Sequence, residues 1–243
     1  MNGLYFKYGT MNSGKTANAL MLRHNYIQNG YSCLLLKSTL DTRDFSGGRE
    51  LIVKTRIGLT APCIPFTPND NIVEIFNGIN SKKHIDVIIV DECQFASSEQ
   101  IDQLKELSSN LPVFCYGLLT DFKTNLFDGS KRLIEISDNL LELASICTCG
   151  KKATVNARFI DGKICTTGDA IAIEKGNITY KSMCYNCFKN ELIKAKCSEN
   201  TTNSSNQMWF SYVFVHKAVH MVCGRFLCLV LTNYTFCDKI YTH

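Results

Sequence analysis

No long basic run occurs in the 243-residue chain, and 26 Lys and Arg stand against 22 Asp and Glu for a net charge of +4. A protein that tracks a nucleic-acid backbone neutralises many phosphates at once, so this balance lends no support to a nucleic-acid partner. A secretory signal is also missing, because MNGLYFKYG has no basic segment leading into a long apolar stretch. The expected location is therefore cytoplasmic. The apolar C-terminal segment MWFSYVFVHKAVHMVCGRFLCLVLTNYTF is interrupted by His216, Lys217, His220 and Arg225. It falls short of the roughly 18 uninterrupted apolar residues a membrane span needs, and no membrane partner is expected.

A disulfide framework is not expected either, although there are 13 cysteines. Without a signal for export, cysteines read as free thiols or metal ligands. Most stand singly in apolar surroundings, such as Cys33 in SCLLLK and Cys115 in PVFCYG. Four stand apart as two close pairs, Cys147 with Cys149 and Cys184 with Cys187.

What is present begins with a hydrophobic content of 45%, enough for one substantial domain and a small one. Short, nearly continuous apolar runs at LYFKY, SCLLLK, DVIIV and LPVFCYG read as strands buried on both faces. Between them TANALMLRHNYIQN, stopped by Gly30, and SSEQIDQLKELSSN read as helices. Alternation of this kind predicts an α/β fold with a mostly parallel central sheet covered on both sides. After about residue 145 the pattern changes to short strands and turns (DG, KGN), with no helix until FKNELIKAK. The expected parts are residues 1–145, 146–196 and 197–243. The last of these opens on the polar linker SENTTNSSNQ.

GTMNSGKT, residues 9–16, matches G-x-x-x-x-G-K-[ST] between a predicted strand and a predicted helix. Glycines at 9 and 14 let the backbone curl so that successive N–H groups (Gly9, Thr10, Met11, Asn12, Ser13, Gly14) face a polyphosphate at the helix N-terminus. Lys15 would reach the β- and γ-phosphates of ATP, and the Thr16 hydroxyl would ligate Mg²⁺. DVIIVDECQF ends an apolar strand in two acids. Asp91 suits the metal ion, and Glu92 is left to accept a proton from an attacking nucleophile. The cysteine pairs could close a tetrahedral, structural Zn²⁺ site. Cys165 is available as a substitute ligand because the first pair is spaced C-x-C.

Taken together, YGTMNSGKT, DTR at 41–43, IIVDECQF, YGLLTDF at 116–122 and the two cysteine pairs with TYKSMC between them resemble the type II thymidine kinase family over about residues 1–195. The resemblance implies a P-loop, RecA-like kinase domain joined to a small zinc-binding subdomain that carries a lasso loop over the nucleoside, here about Ile164 to Tyr180. It implies ATP-dependent phosphorylation of the 5′-hydroxyl of thymidine or deoxyuridine, with Glu92 as catalytic base and a homotetrameric assembly. By the same resemblance Met11, Phe95, Leu118, Phe122 and Tyr180 surround the nucleoside, while Arg56 and Arg158 hold acidic groups near the site. This chain departs from the family in C-T-C for C-x-x-C and in Asn156 at a position aligned with a threonine. Two other readings remain at this point. One is a RecA-like ATPase acting on nucleic acid, and the other is a zinc-ribbon binding module fused to a nucleotide switch.

Overall fold

A computed structural model of the chain describes residues 2–41, 51–168 and 177–196. The residues from Met1 to Ala195 belong to one unit. Its first strand, β1 (Gly3–Tyr8), runs into the glycine-bearing loop and then α1 (Lys15–Gln28). Gly14 occupies the N-cap of α1 with φ 79° and no side chain caps the helix. The first N–H groups of α1 are thus left for a ligand rather than for a Ser or Asp side chain. The helix ends at Asn29, and Gly30 beyond it takes φ 84°, as the sequence predicts.

The chain continues through β2 (Cys33–Ser38), β3 (Leu51–Lys54), β4 (Thr60–Phe66), α2 (Ile72–Asn80), β5 (Val87–Asp91), α3 (Ser98–Leu107), β6 (Pro112–Gly117), α4 (Asp128–Ile136) and β7 (Asn139–Glu142). The seven strands form one sheet in the order β3-β4-β2-β5-β6-β1-β7. All neighbours pair in parallel except β3 with β4. β6 therefore lies between the loop-bearing β1 and the acid-bearing β5. Every residue of β5 is buried, which is why VIIVD reads as a continuous apolar run rather than an alternating one.

One face of the sheet packs Leu4, Phe6, Leu36, Ile88 and Val90 against Phe76 of α2, Ile101 and Leu104 of α3 and Leu133 of α4. The other packs Leu35, Ile89 and Tyr116 against Ala19 and Leu20 of α1 and Val53 of β3. Parallel register then brings the strand ends together, with Tyr8 opposite Gly117 and Lys37 opposite Asp91. The carboxyl edge of the sheet carries the site, as in other open α/β folds.

The small part begins with the hairpin β8 (Ser145–Ile146) and β9 (Lys152–Ala153). It continues as an antiparallel sheet of β10 (Val155–Ile160), β11 (Lys163–Cys165) and β12 (Ile178–Met183) in the order β11-β10-β12. Asp161 and Gly162 join β10 to β11 with φ of 49° and 77°. Two successive positive φ values make the primed hairpin turn that Asp-Gly favours. A helix, α5, spans 185–196 and covers Val155, Ala157 and Phe159 through Phe188. Among the described residues no helix is long and apolar enough to cross a membrane. Part of the expected lasso loop (169–176), Thr42 and Arg43 of the DTR segment, and everything after residue 196, including the expected linker, lie outside the described residues.

Candidate active site

Gly9 sits at the mouth of the loop, where its N–H donates to the Gly117 carbonyl at 3.3 Å. A Cβ there would collide with the Leu143 carbonyl and lie 2.5 Å from the Ser13 hydroxyl, so only glycine fits. The Lys15 side chain curls over the loop, its ammonium donating to the carbonyls of Gly9 at 3.2 Å and Thr10 at 2.8 Å. One step along the helix, the Thr16 hydroxyl donates to Asp91 Oδ2 at 3.0 Å.

Asp91 is a buried carboxylate, and burial pushes its pKa up to about 7, with the neighbouring Glu92 adding to the rise. Lys37 and the Thr16 hydroxyl act in the opposite direction. A divalent cation beside Thr16 and Asp91 would supply the positive charge that ionisation at this depth demands, so the pair fits a Mg²⁺ position. Lys37 itself is only 2% exposed and forms an ion pair with Asp41 at 2.9 Å. No sequence motif marks Lys37. Its signal is a lysine inside the apolar strand CLLLKS, where a charge without a partner would be costly.

A cleft of about 500 Å³ opens above these groups, lined among others by Met11, Lys15, Lys37, Arg56, Glu92 and Leu118. That volume suits a small ligand and its phosphates. Arg56 stands in the turn between β3 and β4, a hairpin the sequence analysis did not mark. Glu92 follows β5 directly, holds φ 54° and lines the cleft. Of the five residues expected around a nucleoside, Met11 and Leu118 line this cleft. Phe95 instead meets Phe127 edge-on, with ring centroids 5.7 Å apart. Phe122 is buried beneath Arg158, whose guanidinium carbon lies 3.5 Å from the ring centroid. Tyr180 pairs with Arg158 across β10 and β12. Arg158 also donates to the Thr167 carbonyl at 2.6 Å.

The small part reaches into the phosphate loop through residues whose partners no local pattern reveals. Asn156, 3% exposed, accepts from the Met11 N–H at 2.7 Å and donates to the Thr120 carbonyl at 3.1 Å. Ser182, opposite Asn156 in the sheet, donates to the Met11 carbonyl. Thr10 and Ser145 join through their hydroxyls. Both backbone groups of Met11 are thereby held from the antiparallel sheet, which explains why Asn156 is buried on a strand of an otherwise small core.

The sulfurs of Cys147, Cys149, Cys184 and Cys187 all lie within 4.8 Å of one another. Zn–S bonds of about 2.3 Å in a tetrahedron put sulfurs roughly 3.8 Å apart, so the cluster is of the right size for zinc. Backbone N–H groups of Cys149 and Cys184 lower the Cys147 thiol to about 6, while hydrogen bonds with the other three sulfurs push Cys187 up to about 12. Full ionisation of four crowded thiols requires a cation among them. The C-x-C spacing does not prevent the cluster from closing. Cys165 stays outside it, next to Arg158 and the Thr167 carbonyl.

An uncapped helix behind a glycine loop, with a buried acid across β6 from it, defines an α/β protein of the P-loop kind with a mostly parallel sheet. The four-cysteine cluster beside the sheet that grips the loop narrows that class further. A family model for thymidine kinase matches residues 2–188, and the chain belongs to the thymidine kinase family. It is 38% identical over 192 residues to a thymidine kinase of Shewanella oneidensis, covering 78% of this chain and 97% of the relative. It is 41% identical over 197 residues to the thymidine kinase of Enterobacteria phage T4, covering 80% of this chain and 98% of that one. A thymidine kinase of Streptococcus agalactiae is 40% identical over 187 residues, covering 76% and 95% of the two chains.

Proposed function

We propose that this protein transfers the γ-phosphoryl group of ATP to the 5′-hydroxyl of thymidine or deoxyuridine. The observation that carries the reading is a single cleft lined by Lys15 of the phosphate loop, Glu92 at the end of β5, and Met11 and Leu118 on the acceptor side. Lys15 binds the β- and γ-phosphates, and loop N–H groups cradle them, other than those of Gly9, Met11 and Ser13, which donate to Gly117, Asn156 and Thr10. Thr16 and Asp91 hold Mg²⁺, which neutralises charge on the phosphate oxygens when bound. Glu92 orients the nucleoside hydroxyl and takes its proton as the new O–P bond forms and the bond to the β-phosphate oxygen breaks, releasing ADP. Phosphoryl transfer has a loose transition state, so most of the rate comes from alignment and charge neutralisation, to which Arg56 at the cleft edge contributes.

On this reading Met11 and Leu118 form the described part of the nucleoside side, Phe95, Phe122 and Tyr180 are assigned to it by family resemblance alone, and the four cysteines would hold a structural Zn²⁺. The reading also carries a homotetramer in the cytoplasm and a division into kinase domain, zinc subdomain and C-terminal extension at about residues 145 and 196. Incubation with Mg·ATP and a panel of nucleosides tests it. Thymidine monophosphate is the expected product, and ATP hydrolysis stimulated by single-stranded DNA without nucleotide product would overturn the assignment. Glu92→Gln is expected to lower kcat about 10²-fold or more.

A further inference from the structure

Glu92 sits in the left-handed backbone region at φ 54°, which residues bearing a Cβ seldom adopt without support from their surroundings. The support comes two residues later. Gln94 lies in the short 3₁₀ turn Cys93–Phe95 and is 2% exposed. Its Nε2 donates to Glu92 Oε2 at 2.6 Å, and its Oε1 accepts from the Leu118 N–H at 3.0 Å. A carboxylate can only accept and a backbone N–H can only donate, so these two partners dictate which end of the carboxamide faces which.

Glycines hold the turn in place. A Cβ on Gly117 would lie 2.7 Å from Gln94 Oε1 and 2.7 Å from Cys93 Sγ. One on Gly129 would lie 2.6 Å from the Ala96 carbonyl oxygen and 2.8 Å from that of Cys93. The turn is therefore gripped between β6 and α4 at two places where no larger residue fits. We propose that Gln94 is a positioning residue for phosphoryl transfer. It pins one oxygen of the Glu92 carboxylate and ties it to the backbone of Leu118, so that the base and the acceptor wall of the cleft hold one fixed separation. The inference rests on Glu92 acting as the base. Alignment of a base within hydrogen-bond reach of the hydroxyl governs turnover far more than substrate capture, so the effect belongs in kcat.

A double-mutant cycle on the full chain tests it, with Mg·ATP and thymidine as substrates. Gln94→Met keeps the shape and removes both hydrogen bonds. It is expected to lower kcat about tenfold or more while the KM for ATP stays within about twofold. In the Glu92→Gln background the same change is expected to alter kcat by less than about twofold, because the group it positions is already disabled. Gln94→Glu keeps the acceptor for Leu118 and replaces the donor to Glu92, and it should lose turnover as Gln94→Met does. Wild-type kcat in Gln94→Glu, or equal losses from Gln94→Met in both backgrounds, would overturn the proposal. If Gln94→Met does not fold, judged by loss of its melting transition, Gln94→Glu is read through the same cycle. Failure of the underlying reading is separate, since it would appear as no thymidine phosphorylation by the wild-type chain or as undiminished turnover in Glu92→Gln.

Discussion

The Lys37–Asp41 pair shows what one buried charge asks of its surroundings. Both side chains are at most 5% exposed, beside a buried Asp91. Losing Lys37 takes a counter-charge from both Asp41 and Asp91, whereas losing Asp41 as well leaves only Asp91 short of one. Lys37→Met alone is expected to destabilise the fold by about 3–5 kcal/mol in urea denaturation. Adding Asp41→Leu should recover much of that loss, and an equally unstable double variant would contradict the pairing argument. Side chain and backbone separate at Met11 too. Met11→Ala removes apolar contact from the acceptor side of the cleft but leaves the loop's N–H groups in place. It is expected to raise the thymidine KM about tenfold with that for ATP nearly unchanged, as steady-state kinetics would show.

Between elements, the decisive link runs from β10 and β12 into the phosphate loop. Asn156 holds Met11 and Thr120 at once, and Ser182 holds the Met11 carbonyl. On the proposed function, a loop gripped at the residue facing the acceptor, and binding donor phosphates through its neighbours, would couple the two substrates mechanically. Asn156→Ala should therefore raise the KM for both thymidine and ATP by several-fold, at a cost of about 1–3 kcal/mol in stability for the buried groups left unsatisfied. That pattern contrasts with Met11→Ala, and a change confined to the nucleoside would argue against coupling through the loop. The phosphate loop was legible in the sequence because its spacing is local, eight residues from Gly9 to Thr16. Its grip by Asn156 was not, because that partner lies 145 residues away and strand propensity does not name a partner.

For the whole molecule, the small antiparallel sheet has few buried apolar residues of its own, chiefly Val155, Ala157, Phe159 and Phe188. A core of that size needs an added constraint, and the four-cysteine cluster is placed to supply it. Cys184→Ser is expected to reduce bound zinc and lower the melting temperature. Because Asn156 and Ser182 belong to that sheet, it should also weaken thymidine phosphorylation although the cluster touches no substrate. Unchanged metal content and melting in this variant would remove zinc from the account.

Sequence alone determined the pieces whose chemistry is local: the phosphate loop before a helix, the acid pair after an apolar strand, the cysteine pairs, and the alternation that makes a parallel sheet. These follow from spacing, hydrophobic period and turn chemistry within a few residues. Tertiary structure alone decided which side chains meet. It closed the β3–β4 hairpin that presents Arg56, joined Lys37 to Asp41 at the carboxyl edge, tied Gln94 to Leu118 and Asn156 to Met11, and laid Arg158 over Phe122. The physical reason is that a residue's type sets which bonds it can make. The partner is chosen by the packing of strands far apart in the chain, where every buried polar group must be satisfied at once.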